Sequence, residues 1–295
     1  MSYMACGNHT PGIKTRLPQA FMHKMALAAV LTAAAGFTLL ALLKPRSSQG
    51  GREVEAGVVE YAELVVVYDN RVLAGGAKGA WGFSCLVDAG GVRVLFDAGG
   101  SSAILLHNMR TLGVSPRVDV VVISHEHGDH IGGLWRVLEL NPGVSVYVPA
   151  GFPGDLERRI RELGCNVIEC AEPTLVCRGV VTTGTLGGFI REHALVVATR
   201  RGIVVVTGCA HPGVAELVEA AERATGARRV ALLIGGFHLM GASRSELEAV
   251  AERLIELGVE EVAPCHCSGE RAVEVFREHF GGKLIECGVG LVIRV

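Results

Sequence analysis

Apolar runs and polar loops alternate along most of the chain and divide it into short strands and amphipathic helices. Residues 118–123, Val-Asp-Val-Val-Val-Ile, form a β-branched run that predicts a buried strand. Further strands are predicted over 63–68, 82–88, 92–97, 144–148, 202–207, 230–234 and 261–263. Ala89-Gly90-Gly91 between two of them is a hairpin signal. Helical spacing predicts a helix over 101–113, with Ile104, Leu105, Met109 and Leu112 on one face, and others over 131–140, 155–163, 214–224, 245–257 and 270–280. Residues 167–201 carry several short β-like runs, and the chain closes on more. This alternation predicts an α/β domain with polar loops at strand ends.

The N-terminal part reads differently. Residues 1–24 form an irregular basic tail, with Lys14, Arg16 and Lys24 and no acidic residue. From Ala26 to Leu43 no charge occurs, and as a helix this stretch would span about 27 Å, close to a hydrocarbon core of about 30 Å. Residues 25–43 are therefore expected to anchor the protein in a membrane. The alternatives are a signal peptide cleaved near Ala33-Ala34-Ala35, giving a secreted protein, and a buried helix. Basic residues flank both sides, so either orientation fits. Residues 44–57 have linker composition, and the folded domain is expected over 58–295.

Composition narrows the partners. Hydrophobic residues make up 49% and aromatics 5%, which calls for a core of Val, Leu, Ile and Ala. A net charge of -2 offers no basic field for nucleic acid, so a small-molecule substrate is expected. Gln occurs only at 19 and 49 while charges are frequent, as in thermophilic proteins. The nine cysteines form no Cys-x-x-Cys pair; Cys165, Cys170 and Cys177 either include a disulfide or are buried thiols.

The chemistry concentrates after the 118–123 run, in Ser124-His125-Glu126-His127-Gly128-Asp129-His130. Ligands on a loop between a strand's carboxyl end and a helix are where open α/β sheets keep their sites. His125 and His127, two apart, can point to one metal, and Asp129 and His130 can turn to a second. This His-x-His-x-Asp-His signature resembles that of the metallo-β-lactamase-fold superfamily. Five further segments strengthen the resemblance in order: 82–87, Gly-Phe-Ser-Cys-Leu-Val; 95–99, Leu-Phe-Asp-Ala-Gly; 207–213, Thr-Gly-Cys-Ala-His-Pro-Gly; 235–239, Gly-Gly-Phe-His-Leu; and 264–269, Pro-Cys-His-Cys-Ser-Gly. Together they are similar to a branch named for 7,8-dihydropterin-6-methyl-4-(β-D-ribofuranosyl)aminobenzene-5′-phosphate synthase and for metal-dependent hydrolases. Glu126, Gly128 and Ile131 depart from that branch's usual loop.

The resemblance implies an αβ/βα four-layer sandwich, two mixed sheets flanked by helices. It implies one or two divalent metal ions, held by His125, His127 and His211 and by Asp129, His130 and His266. Zinc suits this set best, and iron or manganese also fit. Asp97 is expected to accept hydrogen bonds from ligand histidines. Where the superfamily often has a metal-bridging Asp, this chain has Gly208-Cys209; Cys209 is either a thiolate ligand or a packing residue. Asp129 is expected to orient a nucleophile and His238 to donate to a substrate oxyanion or act as general acid. Cys265 and Cys267 are expected to face away from His266 if that segment is extended. The expected activity is metal-dependent hydrolysis of an ester, lactone, amide or phosphoester. The alternatives are a transferase of the pterin-synthase kind, for which Gly75-Gly76-Ala77-Lys78-Gly79 is a candidate phosphate loop, and a mononuclear iron dioxygenase.

Overall fold

The computed structural model describes residues 53–295. Strands β1 (Ala62–Tyr68), β2 (Ser84–Ala89), β3 (Val92–Phe96), β4 (Val120–Val122), β5 (Ser145–Pro149), β6 (Asn166–Cys170) and β13 (Val292–Arg294) make one sheet, in the order β13-β1-β2-β3-β4-β5-β6. Strands β7 (Thr174–Cys177), β8 (Val180–Thr182), β9 (Leu195–Thr199), β10 (Gly202–Thr207), β11 (Val230–Gly236) and β12 (Val259–Cys265) make the other, in the order β12-β11-β10-β9-β8-β7. Both sheets are mixed: β3 to β6 and β10 to β12 pair in parallel, the remaining neighbours antiparallel.

The strand sequences explain the layering. In β3, Val94 and Phe96 face the layer between the sheets, while Leu95 packs outward with Leu105 and Met109 of helix α1 (Ser102–Thr111). In β10, Val204 and Val206 face the same central layer, and Ile203 and Val205 pack outward. With both faces covered, such strands read as unbroken apolar runs. Helices α1, α2 (Gly128–Ile131), α3 (Leu134–Leu140) and α4 (Gly154–Glu162) flank the first sheet; α5 (Val214–Thr225), α6 (Arg244–Glu256) and α7 (Glu270–Phe280) flank the second. The result is the expected four-layer sandwich. The β2–β3 hairpin turns at Gly90 and Gly91, with φ of 61° and 91°, the pair of left-handed residues that a two-residue hairpin turn requires.

Two expectations need correction. No helix among the described residues is long and apolar enough to cross a membrane, so the expected membrane partner and membrane-anchored location are not supported. The longest of these helices, α6, has 13 residues, about 20 Å, and carries charges throughout. The 25–43 segment itself lies outside the described residues. The described end of the expected linker, 53–57, lies against the domain, with Val54 donating to the Ala224 carbonyl and Ala56 accepting from Gly179. The expected 131–140 helix breaks into α2 and α3. A Cβ at Gly132 would fall 2.2 Å from the Gly100 carbonyl oxygen, and one at Gly133 2.2 Å from that of Ala98, because the loop after β3 presses into this turn. Cys165, Cys170 and Cys177 are free thiols.

Candidate metal centre

The polar residues gather where strands end. Asp97 follows β3, residues 124–130 follow β4, and 208–211 follow β10; His238 follows β11, and His266 follows β12. Asp69 and Asn70 follow β1. Because β9 runs antiparallel to β10, the residues just before it, Glu192 and His193, arrive at the same end. The His193 N–H donates to the Ser124 carbonyl at 3.2 Å and ties the two sheets together there. The non-glycine residues with left-handed backbone among those described are Asp97, Ala210, His238 and His266, with φ of 56°, 60°, 54° and 50°. All four lie in this cluster, where backbone strain is held by the surrounding structure.

Two donor groups result. The side-chain donors of His125, His127 and His211 lie within 4.8 Å of one another, and so do those of Asp129, His130 and His266. Asp129 Oδ2 is 3.3 Å from His266 Nε2 and 3.7 Å from His130 Nε2. Cys209 Sγ sits 3.2 Å from His130 Nε2 and groups with His125 and His130, so it lies between the two sets. The structure thus brings together every residue that the resemblance singled out for a metal. Gly208 leaves no room for a side chain, since a Cβ there would meet Ser124 Oγ at 2.1 Å and Asp97 Oδ2 at 3.0 Å.

The imidazoles of His125, His130, His211 and His266 are anchored through their other nitrogen. His130 Nδ1 donates to Asp97 Oδ2 at 2.7 Å and His211 Nδ1 to Glu192 Oε2 at 2.8 Å. His266 Nδ1 meets Asn70 Oδ1 at 3.2 Å. His125 Nδ1 meets Ser124 Oγ at 2.9 Å, and that hydroxyl donates to Asp97 Oδ2 at 2.7 Å. Such partners fix the tautomer and aim Nε2 inward. The Nε2 atoms of His125 and His266 are buried without a hydrogen-bond partner among the described residues. A buried nitrogen left in that state costs about 1–3 kcal/mol, which a cation accepting its lone pair would remove, so the residues fit a metal.

The electrostatics agree. Burial, reinforced by neighbouring imidazoles, lowers His125 and His130 to about 3, so both lone pairs are available at neutral pH. Burial pushes Asp129 up, but the adjacent imidazoles of His266, 3.3 Å from its Oδ2, and of His130 outweigh it and hold the carboxyl well below its usual range. Glu192 behaves likewise: burial raises it, and the His211 hydrogen bond with His125 holds it far down. Burial lifts Asp97 to about 7 against the pull of His125 and the Ser124 donors.

Glu192, Asn70 and Cys267 were not foreseen. Glu192 accepts from the backbone N–H groups of Cys209, Ala210 and His211 and shapes that whole turn. Its signal in the sequence is an acid set just before an apolar strand, whereas Asp97 stands just after one. Cys267 does not obey strand alternation, because residues His266–Ser268 form a 3-10 turn. His238 is exposed, with its ring 4.6 Å from that of His211. The 75–79 loop is tied back onto α1 by Asn108, which accepts from the Lys78 N–H and donates to its carbonyl.

Comparison with known proteins gives four findings. The Beta-lactamase superfamily domain matches residues 92–183. A 7,8-dihydropterin-6-methyl-4-(β-D-ribofuranosyl)-aminobenzene-5′-phosphate synthase of Methanocaldococcus jannaschii is 26% identical over 255 residues, spanning 70% of this chain and 87% of that protein. The crystal structure of a metal-dependent hydrolase of the beta-lactamase superfamily is 31% identical, with a TM-score of 0.67 over 79% of this chain and 99% of that one. Human tRNase Z, short form, shares the fold at a TM-score of 0.55 and 16% identity, over 78% of this chain and 98% of that one.

Proposed function

This chain belongs to the metallo-β-lactamase-fold superfamily, and we propose that within it the protein is a metal-dependent hydrolase of a small-molecule ester, lactone, amide or phosphoester. The observation that carries this reading is the convergence of two donor groups in which the imidazoles of His125, His130, His211 and His266 are anchored from behind. His125, His127 and His211 are the proposed ligands of one divalent cation, and Asp129, His130 and His266 of a second. Imidazole with one carboxylate suits zinc and also accommodates iron or manganese. When bound, such cations supply Lewis acidity and a water nucleophile at neutral pH.

The chain's own groups do the rest. Asp129, 21% exposed at its side chain, has acceptor oxygens that reach solvent and can orient the attacking water. His238 stands on the exposed side; burial and the neighbouring His211 lower its pKa, so it is neutral and donates its N–H to a substrate oxygen. Trp81, 50% exposed, lies with its ring 4.7 Å from that of His266 and offers a face to an apolar part of the substrate. A second reading is a transferase that joins a pterin to a ribofuranosylaminobenzene phosphate. The length of the match to the M. jannaschii synthase favours it.

The test is a panel of phosphoesters, lactones and amides, together with the pterin-joining reaction, run on protein of measured metal content. Hydrolysis of a panel member, reduced more than about 100-fold along with metal content in His127→Ala, supports the hydrolase. Pterin joining without hydrolysis selects the transferase. Full metal content in His127→Ala would refute the ligand set.

A further inference from the structure

A third donor group borders the first two. Cys209 Sγ, Cys267 Sγ and a ring nitrogen of His238 lie within 4.8 Å of one another. They come from the ends of three neighbouring strands, β10, β12 and β11. Backbone geometry brings them together. His238 and His266 turn through left-handed conformations, with φ of 54° and 50°, and the second begins the turn that carries Cys267. Gly236 makes the approach possible, because a Cβ there would lie 2.3 Å from the Gly208 carbonyl oxygen and 2.8 Å from Cys267 Sγ. The two cysteines are 4% and 5% exposed, whereas His238 faces solvent, so the group has a sulfur floor and an imidazole at its mouth. Among the described residues Cys267 Sγ donates one hydrogen bond, a long one of 3.7 Å to the Cys209 carbonyl oxygen.

We infer that Cys209, Cys267 and His238 form a further site for a soft divalent cation of the zinc or cadmium class, at the edge of the histidine-rich groups, with Cys209 Sγ 3.2 Å from His130 Nε2. Two sulfurs and one imidazole fill three positions of a tetrahedron, and the exposed side leaves the fourth for water or an anion. With bonds of about 2.3 Å to sulfur and about 2.0 Å to nitrogen, a cation reaches all three once donors that lie within 4.8 Å of one another close to about 3.5–3.8 Å. Binding releases both thiol protons to solvent and leaves two thiolates, whose charge the cation balances within the buried floor. Thiolates select soft cations, and the imidazole-carboxylate groups do not share that preference. The site goes beyond the hydrolase reading by adding a cation. It also bears on that reading, since an occupied site holds His238 away from substrate.

The full chain is titrated with cadmium, following bound metal per chain and thiolate-to-metal absorption in the ultraviolet. The expected result is one equivalent that brings strong thiolate absorption. In Cys267→Ser that equivalent is lost and the absorption falls by at least about half, while the histidine groups still bind. In His238→Ala, which keeps both thiols, the equivalent binds at least about 10-fold more weakly. If Cys267→Ser does not fold, His238→Ala alone decides the matter. Absence of thiolate absorption in the native chain, or absorption and affinity unchanged in the variants, would overturn the site. Loss of the histidine-held cations in His127→Ala with cadmium–thiolate absorption retained supports its independence from the hydrolase centre.

Discussion

Glu192 gathers four hydrogen bonds into one turn: the N–H groups of Cys209 and Ala210 at 2.8 Å each, that of His211 at 2.9 Å, and His211 Nδ1 at 2.8 Å. An ionised carboxylate, acceptor at both oxygens, is the one common side chain that satisfies all four. Glu192→Gln sets an NH2 against N–H donors and should destabilise the fold by about 3 kcal/mol, as breaking a buried charged network does. With His211 no longer held, affinity for the first cation should fall roughly 10–100-fold. Calorimetric metal titration checks this, and unchanged affinity would remove Glu192 from the support of the centre. Residue-scale chemistry was only partly readable from the sequence. The 125–130 loop declares itself because its donors are adjacent in the chain, and Asp97, His211 and His266 follow from the resemblance. Glu192 stayed hidden because its partners are backbone N–H groups brought near by antiparallel pairing of β9 with β10, which no local pattern encodes. Cys267 lies beyond the reach of strand alternation, which holds only while a strand continues, and β12 ends at Cys265.

At the scale of elements, the centre depends on how closely strand ends approach. Gly208 lies outside the left-handed region, so a methyl group there tests space alone. Its Cβ would meet Ser124 Oγ at 2.1 Å and Ser124 Cβ at 2.7 Å, displacing the hydroxyl that links Asp97 to His125. Gly208→Ala should therefore cost about 1–3 kcal/mol. Gly128, in the ligand loop itself, has nothing within 4 Å of the place a methyl group would occupy, so Gly128→Ala should stay within about 0.5 kcal/mol. Urea midpoints compare the two, and equal shifts would show that close packing at the β10 end is not the constraint. Strands buried on both faces were readable because their apolar runs are long and β-branched. Their order in the sheets was not, since pairing across tens of residues leaves no periodic trace. The 131–140 helix was overrun by a tertiary contact: Gly132 and Gly133 sit against the backbone of the loop after β3.

Across the whole molecule, the centre joins two sheets. His125, His127, Asp129 and His130 follow a strand of the first, and His211 and His266 follow strands of the second. The alternation of elements alone reached no further than an α/β domain; the four-layer arrangement that makes this junction came from the resemblance. Cations bound across the junction have no preformed counterpart in the unfolded chain, so they should stabilise the fold by about 4 kcal/mol at a thousandfold excess over Kd. Chelation should then lower Tm by roughly 8–16 °C for a domain of this size. The chelated protein should also become acid-sensitive. Burial holds His125 and His130 at about 3 and His193 at about 4, whereas the unfolded chain takes up these protons near 6.5. Below about 6.5 the unfolded state binds more protons, so this part of the stability is complete above that pH and is lost as pH falls toward 4 and then 3. His193 alone contributes roughly 3 kcal/mol in that sense. Asp97, raised to about 7, works in the opposite direction and offsets one of the three histidines. Melting curves of chelated and metal-loaded protein at about pH 8 and about pH 5 separate the two effects. A chelated protein that melts no lower than the loaded one would mean that no cation joins the sheets, and equal melting at both pH values would mean that the buried imidazoles are not held neutral.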